Sequence, residues 1–119
     1  MDEATAEFLL TLLHSSTNAH LLHWQTKSYS EHRTLGKFYE LILQLTDDLA
    51  EAIMGKYDTT LTFPVNYYAP AVTGKEEIEA LKDYVMQART QLPQDSEIQN
   101  LVDVIADQID KTLYLLRFP

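Results

Sequence analysis

Four residues of this chain have the types and spacing to do chemistry together: His23, His32, Asp47 and Glu51. Every histidine in the sequence lies at or before His32. His23 stands near the end of one expected helix and His32 near the start of the next. Asp47 and Glu51 follow at i,i+4 spacing and so share one helix face. Two imidazoles and two carboxylates make a mixed nitrogen and oxygen donor set, which suits iron or zinc. His20 lies one turn before His23 and Trp24, where it could be a further ligand or hydrogen-bond to one. Asp48 is either a solvated neighbour or an extra carboxylate. His14 is expected to pack or hydrogen-bond structurally.

The elements that must position these residues read as long helices, because only three glycines and four prolines punctuate the chain. From about Ala4 to Thr26, Phe8, Leu9, Leu12, Leu13, Ala19 and Leu22 recur at helical spacing. Leu10, Leu21 and Trp24 widen that stripe beyond what a bundle core needs. Lys27 to Ser30 form a break. Ser28 and Glu31 have capping-box spacing, and Ser30 is a second N-cap candidate. A second helix is predicted from about Glu31 to Tyr57, with Leu35, Phe38, Ile42, Leu45, Leu49 and Ala52 as its stripe. Asp47 and Glu51 sit roughly 200° from Leu49 at ~100° per residue, facing away from that core.

Asp58 to Gly74 breaks the pattern, with Pro64 and Pro70 bracketing a Tyr-rich run. Thr73 and Glu76 again have capping-box spacing. A third helix carries Ile78, Leu81, Val85, Ala88 and Leu92 and ends at Pro93. Asp95 is expected to cap a fourth, which carries Ile98, Leu101, Val102, Ile105, Ile109, Leu113 and Leu116. The long middle link could reach roughly 55 Å when extended. A helix of about 25 residues is only ~38 Å long. The expectation is therefore an all-α, ferritin-like four-helix bundle with one long crossover between helices two and three, in a single domain over residues 1–119.

Composition narrows the function. The net charge of −9 argues against strong direct nucleic-acid binding, because duplex affinity rests on Lys and Arg neutralising phosphates. An acidic shell instead gathers cations. The absence of cysteine excludes disulfides and thiolate metal sites and suits a reducing, cytoplasmic compartment. No apolar run reaches membrane-spanning length, and Met1-Asp2-Glu3 is unlike a secretory signal. A di-iron site within one subunit needs Glu-x-x-His on two helices. No histidine follows His32, so the last two helices supply none. Asp103, Asp107 and Asp110 lie off the apolar stripe and read as a solvated face.

His23-Trp24-Gln25-Thr26-Lys27, His32 and Asp47-Asp48-Leu49-Ala50-Glu51 together resemble the starvation-induced DNA-protection (Dps) family of the ferritin-like superfamily. The resemblance spans about Asn18 to Ile53. It implies that His23 and His32 of one subunit face Asp47 and Glu51 of a twofold mate, with iron bound between them. It implies a ferroxidase-type oxidation of Fe(II) to Fe(III) by peroxide or dioxygen, with Trp24 beside the site. It further implies a homo-oligomer, at least a twofold dimer and at most the family's dodecameric cage, storing ferric mineral. Two other readings stay open. One is a non-catalytic helical oligomerisation protein, and the other a zinc-binding module without redox chemistry.

Overall fold

The computed structural model describes residues 2–119, and four α-helices make up most of it: α1 (Asp2–Gln25), α2 (Tyr29–Tyr57), α3 (Gly74–Ala88) and α4 (Ser96–Leu115). Among the described residues there is no strand. The helix starts follow their local chemistry. The Ser28 hydroxyl accepts from the Glu31 N–H and the Thr73 hydroxyl from the Glu76 N–H, each satisfying a donor that the first turn leaves open. Ser30 lies inside α2. That helix stops at Asp58, which adopts the left-handed conformation (φ 48°) and returns its N–H to the Met54 carbonyl.

Two local expectations are corrected. The third helix ends at Ala88, short of Leu92, and tightens into a 3-10 turn over Arg89–Gln91. Pro93 forces the residue before it out of the helical region, and Leu92 is extended with ψ 166°. Asp95 occupies the N-cap position of α4, but its carboxylate makes no cap. It takes the Tyr57 hydroxyl and faces the Lys56 ammonium, and the Tyr57 bond holds its carboxyl below the usual range. The N–H groups of Ile98 and Gln99 go to the Asp95 backbone carbonyl instead.

The four helices close around one core. α1 packs on α2 and α3, and α4 packs on the same two helices. Phe8, Leu12, Leu35, Phe38, Ile42, Leu49, Ile78, Ile98 and Ile105 are fully buried within it. Leu13, expected on the core stripe, is 40% exposed and faces outward. The two ends are tied differently. At one end the Gly74 N–H donates to Glu31 Oε1, joining the start of α3 to the start of α2. At the other, Lys56 bridges the end of α2 to Asp95 and Glu97 at the start of α4. The link 58–73 is pinned against α1, since the Tyr67 hydroxyl donates to Asn18 Oδ1 and the Asn18 amide donates to the Tyr68 carbonyl. No helix among the described residues is long and apolar enough to cross a membrane.

Candidate functional site

The turn between α1 and α2 folds His23 and His32 onto each other. Their rings stack with centroids 3.8 Å apart and planes 12° apart. Each ring also reaches the other's backbone: His23 Nδ1 lies 2.5 Å from the His32 carbonyl, and His32 Nδ1 lies 2.7 Å from the His23 carbonyl. A carbonyl only accepts, so both Nδ1 atoms carry the proton. In the neutral rings both Nε2 atoms therefore keep a lone pair, the tautomer a metal-ligating histidine needs. The local sequence explains the arrangement. The His23 carbonyl belongs to the last turn of α1, where no further turn supplies a donor. The His32 ring provides one.

Gly36 makes room for the stack. A Cβ built at Gly36 would lie 2.8 Å from His23 Cε1 and 3.0 Å from Nδ1, so only glycine lets α2 come this close to the ring. Tyr39, three residues on, meets the His23 ring edge-on at 5.5 Å and lies flat on His20 at 3.9 Å. Trp24 packs against His20 at 4.4 Å while remaining 66% exposed. Tyr29 lies beside His32. Gly36, Tyr29 and Tyr39 are absent from the sequence-derived site. The signal for them was present: Gly36 and Tyr39 follow His32 by four and seven residues, the spacing of one helix face.

Asp47 and Glu51 are exposed farther along α2. They form a side-by-side pair: the bond that protonated Glu51 can donate to the Asp47 carboxylate, reinforced by the Asp47 charge, raises the Glu51 carboxyl above its ordinary value. No ion pair among the described residues involves either of them, so a cation would be attracted to the two oxygen donors. Asp48 points elsewhere, accepting from the Gln44 amide. Fifteen residues of helix separate His32 from Asp47, about 22 Å along the axis. One chain cannot bring the imidazoles and carboxylates to a common ion. Among the described residues no three side chains of the ligating types gather into a metal-holding group. His14 packs edge-on against Tyr67 and Tyr68, a structural placement.

The stack also limits what the two histidines can do as they stand. Nitrogen lone pairs lie in the ring planes, and metal–nitrogen bonds are about 2.1 Å long. Two nearly parallel rings do not converge on one ion at that distance unless one ring turns. The resting geometry offers one Nε2 per ion.

Across α1 and α2, Leu13 and Leu43 are exposed and line, with Phe63 and Asp47, an open groove of about 450 Å³. His32, Gly36, Tyr39, Leu43, Asp47 and Glu51 fall within roughly 120° of arc on α2 at ~100° per residue. Imidazoles, apolar groove and carboxylates thus follow one another along a single face.

No curated protein and no solved structure matches this sequence. Residues 23–116 match the model described as a family of unknown function, DUF5856, a span that opens on His23 and takes in the aromatic turn, both carboxylates and the whole of α4. The chain belongs to that family.

Proposed function

We propose that this chain is a Dps-like protein that binds Fe(II) as substrate between two subunits and passes its electrons to peroxide or dioxygen. The reading rests on one observation above all. His23 and His32 each spend Nδ1–H on a backbone carbonyl, which fixes the tautomer with Nε2 free. In this proposal one Nε2 of the stack takes iron first, the second joins when its ring turns out of the stack, and Asp47 and Glu51 of the mate complete the ligand set. The carboxylates balance the charge and favour the ferric product. Tyr39 covers one side of the His23 ring, and Trp24, exposed in the single chain, would be covered by the mate. The topology in this reading is ferritin-like, with the link 58–73 as the single long crossover. The tie between Gly74 and Glu31 supports it, because it sets the starts of α2 and α3 side by side.

A twofold axis would pass about midway between the imidazoles and the carboxylates, near residue 40 or 41 of α2. That point lies beside exposed Leu13 and Leu43, where an apolar contact would hold the pair. The minimum assembly is a dimer carrying two equivalent sites, and a closed cage is its extension. The lack of cysteine suits a cytoplasmic setting, and the charge of −9 suits iron rather than nucleic acid as the ligand.

A second reading has a specific observation behind it. The reciprocal ring-to-carbonyl bonds also fasten α1 to α2, which would make the histidines a helix-end clasp in a non-catalytic oligomerisation protein. Mixing two variants separates the readings. His23→Ala and Glu51→Ala should each abolish most Fe(II) oxidation, assayed by ferric absorbance, while circular dichroism shows the helices intact. After subunit exchange, a mixed dimer has both lesions in one site and an intact second site, so activity should return in part. A mixture shown by mass spectrometry to contain heterodimers, yet still inactive, would sink the shared site. Wild-type protein that oxidises no Fe(II) would leave the clasp.

A further inference from the structure

Away from His23 and His32, and behind the Tyr68 ring on which His14 packs, Glu77 is buried without a cationic partner among the described residues. It is 3% exposed, stands in the first turn of α3, and takes part in none of the ion pairs among the described residues. Its hydrogen bonds come from neutral donors, the Ala71 N–H at 2.9 Å and, at 3.4 Å, the Asn18 amide. Its place in the first turn of α3 suits a carboxylate, but neutral donors and a helix dipole spread a negative charge without cancelling it. A carboxylate has about four acceptor directions; these two bonds and the adjacent Tyr68 hydroxyl leave room for a further donor. Leaving a charge this deep unpaired is costly, and proteins pair such groups.

Glu77 lines a cavity of about 370 Å³ between α1, α3 and the link. The other walls are the rings of Tyr68 and Tyr84, the side chains of Leu81, Ala69 and Ala80, and Thr11. The Tyr68 hydroxyl donates to the Thr11 carbonyl, and burial followed by the nearby Glu77 charge drives its pKa far above the ordinary tyrosine range. Tyr84 is shifted upward by burial, with Glu7 adding a second negative influence. No positive side chain contributes to either tyrosine. The cavity therefore combines a buried anion, aromatic walls and an apolar floor. That combination recognises an ammonium group carrying a short hydrocarbon body: the charge pairs with the carboxylate, and the alkyl part packs on the rings.

We infer that the cavity bounded by Glu77, Tyr68, Tyr84 and Leu81 is a binding site for a small organic ammonium ion. The inference does not depend on the iron reading, since none of its residues belongs to the histidine turn or the Asp47–Glu51 pair. The test uses n-butylammonium chloride as probe and follows the methyl signals of Ala69, Ala71 and Ala80 by NMR in the full chain. Saturable shifts in the millimolar range are expected, with none from 1-butanol at the same concentrations. Glu77→Gln should weaken binding on the order of tenfold or more, because it keeps the acceptor for the Ala71 N–H but removes the charge. Ala80→Phe, which fills the cavity from its exposed rim without touching the carboxylate, should abolish the shifts and decides the matter if the glutamine variant does not fold. Absence of saturable shifts would overturn the site. Equal shifts from butanol, equal shifts from magnesium chloride, or undiminished binding in Ala80→Phe would overturn it as well.

Discussion

The outer faces of the two helix pairs are finished in opposite ways. On α3, the 3-10 turn and α4, three cations find partners within the chain: Lys82 with Asp110, Arg89 with Asp103, and Lys111 with Asp107 one turn away. Asp103, Asp107 and Asp110, read from sequence as a solvated face, are exposed and each carries such a partner. On α1 and α2, the histidine rings stack, Trp24 and Tyr29 stand in solvent, Leu13 and Leu43 are uncovered, and Asp47 leans on Glu51 with no cation between them. The first face carries three ion pairs within the chain, although Met86 and Val104 are exposed there as well. The second holds imidazole lone pairs, adjacent like charges and exposed apolar side chains, with no ion pair to Asp47 or Glu51 among the described residues.

The sharpest way to break this contrast is at Gly36. Gly36→Ala gains up to about 1 kcal/mol in helix propensity. It also drives a methyl group to 2.8 Å from the His23 ring, which must turn away. The imidazole Nδ1–H signals expected for His23 and His32 in the wild type should then be lost from the NMR spectrum, and the proposed Fe(II) oxidation should fall on the order of tenfold or more, as when a ligand loses its orienting partner. Survival of both signals would show that the stack does not need the glycine.

On the opposite face, Lys82→Ala removes an exposed pair and should cost at most about 0.5 kcal/mol by denaturant titration, with oxidation unchanged. A larger loss would mean that this face contributes more than solvation. The smallest effect concerns Glu51. Its carboxyl is raised above the ordinary 4.5 by Asp47, so the stabilisation from the shared proton is complete below that value and disappears as pH rises through the raised pKa. Glu51→Gln keeps a hydrogen bond to Asp47 without titrating. Its Tm should match wild type near pH 4 and lie slightly above it at pH 7. A gap that is constant with pH would remove the proposed repulsion.

Much of this organisation was legible in the residue pattern. Ser28 and Thr73 announced their helix starts because capping is a local event, read over three residues. The outward face of Asp47 and Glu51 followed from helix arithmetic alone. What escaped was decided by distant partners. Asp95 has the right type and place for a cap, yet Tyr57 and Lys56, nearly forty residues earlier in the chain, claim its carboxylate. Glu31 has capping-box spacing, but its side chain serves Gly74 instead. The aromatic stack needed Tyr39 and Gly36 brought against α1, and the spacing of histidines does not reveal which rings lie flat on which.

The bond from Gly74 to Glu31 has one more consequence. The first N–H of a helix has no partner within that helix and ordinarily exchanges with solvent almost at once. Here it is held by a carboxylate on another helix, and Gly74 is buried. Its deuterium uptake therefore times the detachment of α3 and the preceding link from the start of α2, while the neighbouring amides of Lys75 and Glu76 serve as clocks for simple fraying. A single peptide proton thus becomes a gauge of how often the two halves of the molecule part company.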